Sequence, residues 1–324
     1  MAAAGALRFV TYNVARLERA DDVARVLRRL RPSFACLNEV SLHRCPSALA
    51  DLAARLSEDG TQQYSVEFFG HAFNGKYGNA LLSRHGPPRA RRDVHLDGGT
   101  RIVVPARRGA AAGETAVKRI QRGLMVCDFD LPSGPISVAC THLDHMRSAE
   151  RRTQVAHVAR ELALDRGAAH RQCVLLGDLN ALTRGDYRAD EWRALEAHNA
   201  AQAPPWEPPA GGDLAGLEDA GFVDCFRVFD AARGEDGPCD RGFTAHVENP
   251  RYRIDYAFAR APGMLRAARS GGDGDDRGSA GADGVFELAG AHVDRGDGTR
   301  EASDHFPLVI DFVRRSPMAP LAAL

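Results

Sequence analysis

The chain has 324 residues, 44% of them hydrophobic, with 42 Lys and Arg against 43 Asp and Glu, a net charge of −1. That is enough apolar material for a large core in one or two domains. The near-neutral balance gives no whole-molecule signal for a polyanionic partner, and no apolar stretch is long enough to span a bilayer.

RFVTYNV, residues 8–14, reads as a strand from its β-branched and aromatic content. A helix follows over about 21–31, where Val23, Val26, Leu27 and Leu30 recur at helical spacing, Asp21 and Asp22 suit its N-terminal end, and Pro32 stops it. FACLNEV is a second strand, and a second helix spans about Ser47 to Leu56. YSVEFF and NALLSR are strands separated by the turn GHAFNGKYG. An irregular basic segment, expected as a flexible loop, covers about 84–122. LMVCDFDL and ISVACTHL are strands joined by PSGP, and a helix from about Ser148 to Leu164 turns Val155, Val158 and Leu162 inward. Strand CVLLGD comes next, then a Pro-rich loop over about 200–213. Later strands are GFTAHV, RIDYAFA, VFEL and PLVIDFV. The Gly/Asp-rich run at 268–284 reads as a loop; it misses the calcium-loop pattern. Residues 317–324 read as a tail, and no short-period repeat occurs. Strands alternating with a few helices predict an α/β or α+β chain whose helices cover sheets, as one domain over 1–316.

There are seven cysteines, no Cys-x-x-Cys pair, and Cys36, Cys127, Cys140 and Cys173 lie inside apolar runs. These read as small buried hydrophobes in a reducing compartment, not as a disulfide framework or zinc site. Seven residues before the strand-like run at Arg8 leave no room for a signal peptide, so the expectation is an intracellular, cytoplasmic protein, with the nucleus left open. Between Arg84 and Arg122 ten basic residues face three acids, Asp93, Asp97 and Glu114. That excess is either a lip that attracts phosphates or a solvated face of an Arg-rich chain.

Polar groups cluster at the ends of the apolar strands. Asn13 ends the first strand and Glu39 the second; His142 ends ISVACTHL; Asp178 and Asn180 follow CVLLG; Asp255 lies in RIDYAF; Asp304 and His305 precede PLVIDFV. Singly, each is an ordinary turn former or packed polar residue. Together they match strand-end chemistry in layered folds, where a rigid sheet mounts short side chains. Were the strand to persist through Leu179, Asp178 and Asn180 would share one face.

Glu39, Asp178 and Asp304 supply hard oxygen ligands that suit Mg2+ or Mn2+ better than zinc. His305 is able to take a proton near neutral pH, and Asp255 to fix its tautomer. Asn13, His142 and Asn180 offer hydrogen bonds to phosphate oxygens. A divalent cation, an oriented base and several donors make a phosphoester hydrolysis site. No P-loop, G-x-S-x-G or H-E-x-x-H occurs, and His145 in THLDH lacks the partners of a zinc site.

TYNV, LNEV, GNALLSR, THLDH, GDLNAL, RIDYAF and SDHFPL, in that order over residues 8 to about 313, resemble the motifs of the endonuclease/exonuclease/phosphatase superfamily. Each is short; their joint order is specific. The resemblance implies a four-layer α/β sandwich, two mainly antiparallel β-sheets packed face to face with helices outside, and a Mg2+-dependent hydrolase of phosphodiesters or phosphomonoesters. It implies that Glu39 holds the metal, with Asn13 beside it and Asp304 assisting. It also implies that Asp178 orients or activates the water, that Asn180 and His142 contact the phosphate, and that Asp255 and His305 form an Asp–His pair. Which of Asp178 and His305 activates the nucleophile stays open. Asn38 stands where the family usually has Gln, and Val40 and Ala245 replace the Lys and Trp of abasic-site endonucleases, which lowers the case for that repair activity.

The expected function is therefore a Mg2+- or Mn2+-dependent phosphodiesterase or nuclease acting on a phosphoester substrate, with nucleic acid among the candidates. A phosphatase or phosphodiesterase of a small molecule or lipid headgroup is the alternative, and a non-catalytic binding protein on the same fold a third. The sequence is silent on oligomeric state, with a monomer a plausible reading.

Overall fold

The structure, a computed structural model, describes residues 6–57, 60, 63–105, 115–163, 172–232, 241–260 and 286–314. The first half builds β1 (Ala6–Arg16), α1 (Ala20–Leu30), β2 (Phe34–Ser41), α2 (Ala48–Leu56), β3 (Ser65–Ala72) and β4 (Tyr77–Ser83). Next come β5 (Ala90–His95), β6 (Arg101–Pro105), β7 (Thr115–Arg119), β8 (Gly123–Leu131), β9 (Gly134–His142), α3 (Ser148–Ala163) and β10 (Gln172–Asp178). The remainder is α4 (Ala189–Ala200), α5 (Ala215–Asp219), β11 (Val223–Asp224), α6 (Cys225–Ala232), β12 (Asp255–Arg260), β13 (Phe286–Val293), α7 (Thr299–Ala302) and β14 (Leu308–Arg314).

Two six-stranded sheets result, in the orders β13-β14-β1-β2-β4-β3 and β11-β12-β10-β9-β8-β5. The pairs β1–β2 and β9–β10 are parallel and the others antiparallel. Each parallel pair needs a crossover, and α1 and α3 supply them.

Alternation along the strands decides which residues meet. Phe9, Phe34, Cys36, Leu81, Ile310 and Phe312 of the first sheet pack on Met125, Cys127, Val138, Cys140, Val174 and Leu176 of the second. The opposite faces carry the helices. Val10, Leu37 and Leu82 pack with α1 and α2 through Val26, Leu27, Leu30 and Leu52; Leu124, Val126 and Leu175 pack with α3 and α5 through Val155, Val158, Leu162 and Leu217. The layers are thus helix, sheet, sheet, helix, as the resemblance implied.

Several sequence expectations need correction. The basic segment at 84–122 is not a loop throughout: Ala90–His95 pairs with β8 as an edge strand, and β6 pairs with β7 as a hairpin. ARRDVH hides its strand character because the edge needs only Arg92 and Val94 half-buried on one face, while Arg91 and Asp93 fall on exposed positions of the other. GFTAHV forms isolated bridges at Ala245, to Tyr252 and His305, not a strand. Residues 200–213 follow α4 as a loop. The expected loop at 268–284 and tail at 317–324 lie outside the described residues. Cys36, Cys127, Cys140 and Cys173 are buried, as read; Cys225 is buried as well, and Cys45 is exposed. Among the described residues no helix is long and apolar enough to cross a membrane.

Candidate active site

The inward-facing rows of both sheets end in polar side chains at one end of the sandwich. Val174 and Leu176 face the other sheet, so Asp178, two residues on, does too. Cys140 brings His142 to the same face, Ala257 brings Asp255, Cys36 brings Asn38, and Phe9 brings Asn13 by way of Thr11. Register then aligns them across the strands. Asp178 stands opposite Asp255 on β12 and opposite His142 on β9, while Asn13 stands opposite Asn38. Residues far apart in the chain share one rung because the hydrophobic rows behind them fix that register.

Close approach explains Gly177. A Cβ there would sit 2.0 Å from the Thr141 carbonyl oxygen of β9, a backbone atom that cannot swing aside. Asp178 ends the strand, so Asn180 does not share its face by alternation, which corrects the sequence expectation. The chain instead turns into the left-handed region at Asn180, φ 49°, and the Asn180 backbone N–H donates to Asp178 Oδ1 at 3.0 Å. Glu39 is also left-handed, φ 59°, at the register shift between Leu37 and Val40. Two site residues thus occupy backbone conformations that non-glycine residues seldom adopt.

Side-chain contacts tie the set together. Asn13 Nδ2 donates to Asp178 Oδ2 at 3.0 Å and to Glu39 Oε1 at 3.3 Å, while its Oδ1 accepts the Ala15 N–H. Asn180 Nδ2 donates to His142 Nε2 at 3.0 Å and to the Leu143 carbonyl at 3.2 Å. His142 Nε2 therefore accepts, which leaves N–H on Nδ1, a buried atom with no partner. His305 Nδ1 donates to Asp255 Oδ2 at 2.8 Å, so Nε2 is the ring atom left to face a reactant. Thr244 Oγ1 accepts the Asp255 backbone N–H at 3.4 Å, and Ser303 Oγ donates to the Asn13 carbonyl at 2.7 Å, binding the SDH turn to β1.

Burial and charge set the protonation states. Burial, reinforced by the Asp255 charge, pushes the Asp178 carboxyl up to about 7. Burial opposes charge on His305, but Asp255 outweighs it and the imidazole is held up at about 10. Burial and the Arg122 charge drive His142 well below the ordinary histidine value, so it is neutral. Asp304 faces His246, with Oδ2 3.6 Å from Nδ1, and that contact lowers it to about 2.

A hard divalent cation suits the oxygen donors at this end of the sandwich: the half-buried Glu39, the exposed Asp304 and the buried Asp178. As placed, Asn13 presents N–H to two carboxylates, so it clamps Glu39 instead of offering it an oxygen partner at the cation. Ligand atoms of Asp178, Asp255 and His305 also lie within 4.8 Å of one another. In that trio His305 Nδ1 is already committed to Asp255, which is the arrangement of a proton-handling group.

Sequence reading missed several supporting residues. Asn38 is buried and joins the sheets: Nδ2 donates to Asn79 Oδ1 and the Thr141 carbonyl, both at 2.9 Å, and Oδ1 accepts the Asp178 N–H at 2.9 Å. Arg253, 1% exposed, lies between Asp186 at 3.1 Å and Asp224 at 2.6 Å and anchors the RIDYAF segment. Asp144 in THLDH accepts N–H bonds from Thr100, Met146 and Arg147 and staples its own turn. Arg122, 3% exposed, donates to His145 Nδ1 at 3.0 Å. Nothing local in the sequence marks these four as buried; only the pairing of distant strands does.

The sequence pattern of the endonuclease/exonuclease/phosphatase family matches residues 10–305. An endonuclease/exonuclease/phosphatase from Beutenbergia cavernae is 21% identical with a TM-score of 0.53, over 97% of this chain and 73% of its own. The human Nocturnin catalytic domain with bound sulfate anion is 16% identical, TM-score 0.56, over 96% of this chain and 95% of its own. TDP2 of D. rerio complexed with single strand DNA product is 16% identical, TM-score 0.52, over 95% and 98%. No curated protein sequence matches. With its strand-end polar set, its helix–sheet–sheet–helix layering and a pattern match over nearly its whole length, the chain belongs to the endonuclease/exonuclease/phosphatase family.

Proposed function

We propose that the protein is a Mg2+- or Mn2+-dependent phosphodiester hydrolase of the nuclease or phosphodiesterase type. The observation that carries this reading is the buried Asp178 carboxyl, raised to about 7, placed between the Asn13–Glu39 clamp and the Asp255–His305 pair. The solved relatives captured with sulfate and with single strand DNA product point the same way.

Glu39 and Asp304 would hold the cation, with Asn13 fixing Glu39; bound there, it would neutralise charge on the phosphoryl group and favour ionisation of a nearby water. Asp178, close to half-deprotonated near neutral pH, takes the proton of the attacking water. Asn180 positions the Asp178 carboxylate through its backbone N–H. His142, through Nε2, holds the Asn180 amide beside the Asp178 carboxylate. His305, held as the imidazolium by Asp255, donates from Nε2 to the charge that develops on the phosphoryl oxygens.

Hydrolysis of bis(p-nitrophenyl) phosphate should require Mg2+ or Mn2+, disappear in EDTA and return with excess Mg2+. Undiminished turnover in EDTA would overturn the metal assignment.

A second reading, a small phosphoester as substrate, is favoured by the state of the basic segment. Arg91 pairs with Asp93 and with Glu67 at 2.7 Å, and Arg92 with Glu161 at 3.2 Å. Those two arginines are therefore not a phosphate-attracting lip; Arg107 and Arg108 lie outside the described residues. Replacing Arg91 and Arg92 together by Gln should leave oligonucleotide affinity within about twofold across a salt titration and cost about 1 kcal/mol of stability. A flattened salt slope in that variant would restore the lip.

A further inference from the structure

We propose that Arg122 is the core of a second anion subsite that receives a phosphoryl group adjoining the one attacked, so that the enzyme prefers substrates carrying two neighbouring phosphates. The proposal rests on the hydrolase reading above.

Arg122 joins β7 to β8 and is 3% exposed, yet among the described residues it has no carboxylate partner. One NH2 group meets His145 Nδ1, and its Nε is buried with no acceptor. A buried guanidinium with an orphaned N–H is destabilising unless an acceptor arrives. The Arg122 charge acts on His71 (held down at about 4, by burial first), on His142 and on His145, all three driven toward the neutral form. One further buried donor, His142 Nδ1–H, is also unpartnered. The unpaired, buried Arg122 N–H is what an acceptor-only ligand satisfies, and a phosphoryl group is such a ligand.

The position of the arginine is built. Gly123, the next residue, packs so closely on β3 that an added Cβ would meet Phe69 Cε1 at 2.5 Å and His71 Cβ at 2.8 Å. The Gln121 carbonyl accepts from His71 Nδ1 at 2.9 Å, and the Arg122 carbonyl accepts the Leu96 N–H at 2.9 Å. The backbone on both sides is therefore pinned, and the guanidinium itself is held by the contact of one NH2 group with His145 Nδ1. It lies on the β8 side of His142, whereas Asp255 and His305 lie on the β12 side of Asp178. A phosphoryl group at Asp178 thus has the proton-handling pair on one flank and the unpaired arginine on the other.

The test compares the dinucleotides TpT, pTpT and TpTp. At least one phosphorylated form should be cleaved about tenfold or more better in kcat/KM than TpT by the wild-type protein with Mg2+, the gain expected of one charge-assisted hydrogen bond. Arg122→Gln and Arg122→Lys should bring that ratio to about one and about three respectively. Equal kcat/KM for all three dinucleotides, or a ratio kept in Arg122→Gln, would overturn the proposal. Calorimetric binding of the same three compounds to the wild-type protein separates this from the hydrolase reading. Tighter binding of pTpT or TpTp without turnover supports the subsite and sinks the hydrolase; equal affinities sink the subsite even if TpT is cleaved. Should both variants fail to fold, the wild-type rate ratio and affinities decide.

Discussion

Replacing Asp178 by Asn should lower kcat by about 10²–10⁴-fold, the range expected when a positioned general base is removed, with Tm unchanged or slightly raised. The isosteric amide keeps an oxygen for the Asn180 N–H, which Asp178 Oδ1 accepts at 3.0 Å, at the loss of the one hydrogen bond that Asp178 Oδ2 accepts from Asn13 Nδ2. It also removes a carboxylate whose burial already disfavours its charge, so the fold loses little. The pH profile gives the sign. Asp178 acts in its unprotonated form, and burial raises it to about 7, so wild-type kcat/KM should fall with decreasing pH through an acid limb near 7, not near 4. His305, raised to about 10, acts protonated, so the alkaline limb should lie near 10. The residual activity of Asp178→Asn should lack the acid limb. Turnover within about threefold of wild type, or an unchanged acid limb, would remove Asp178 from the chemistry.

Gly177→Ala should damage fold and activity together, with a Tm drop on the order of 5 °C or more by thermal denaturation. The methyl group would lie 2.0 Å from the Thr141 carbonyl oxygen, and no rotamer relieves a clash with backbone. Either β10 shifts away from β9, breaking the rung that holds His142 against Asp178, or the two strands separate at their ends. Both routes move catalytic groups by the amount of the clash, so kcat should fall even at temperatures where the variant stays folded. A variant with wild-type Tm and rate would mean that β9 and β10 are farther apart than described.

Much of this was legible in the chain. The alternation of Val174, Leu176 and Asp178 marks one face, and the polar residues at strand ends stand out against the apolar runs before them. The first helix and the helix after His142 followed from periodicity to within a residue or two. The edge strand at Ala90–His95 was not legible, because an edge strand with one solvated side looks like a charged loop. Asn180 was misplaced for a related reason: alternation describes a strand but not the residue that leaves it, and the left-handed turn at Asn180 aims the side chain instead.

What the sequence by itself determined is the set of chemical groups and their mounts, since side-chain periodicity is a local property of the backbone. The tertiary structure alone decided which of those groups meet. Strand register places Asp178 between Asp255 and His142, and burial raises Asp178. Long-range packing turns Arg91 into half of an ion pair while leaving the Arg122 Nε without an acceptor. Asp178 is 36 positions from His142, 77 from Asp255, and Arg91 is 24 from Glu67, so no local window along the chain contains both partners.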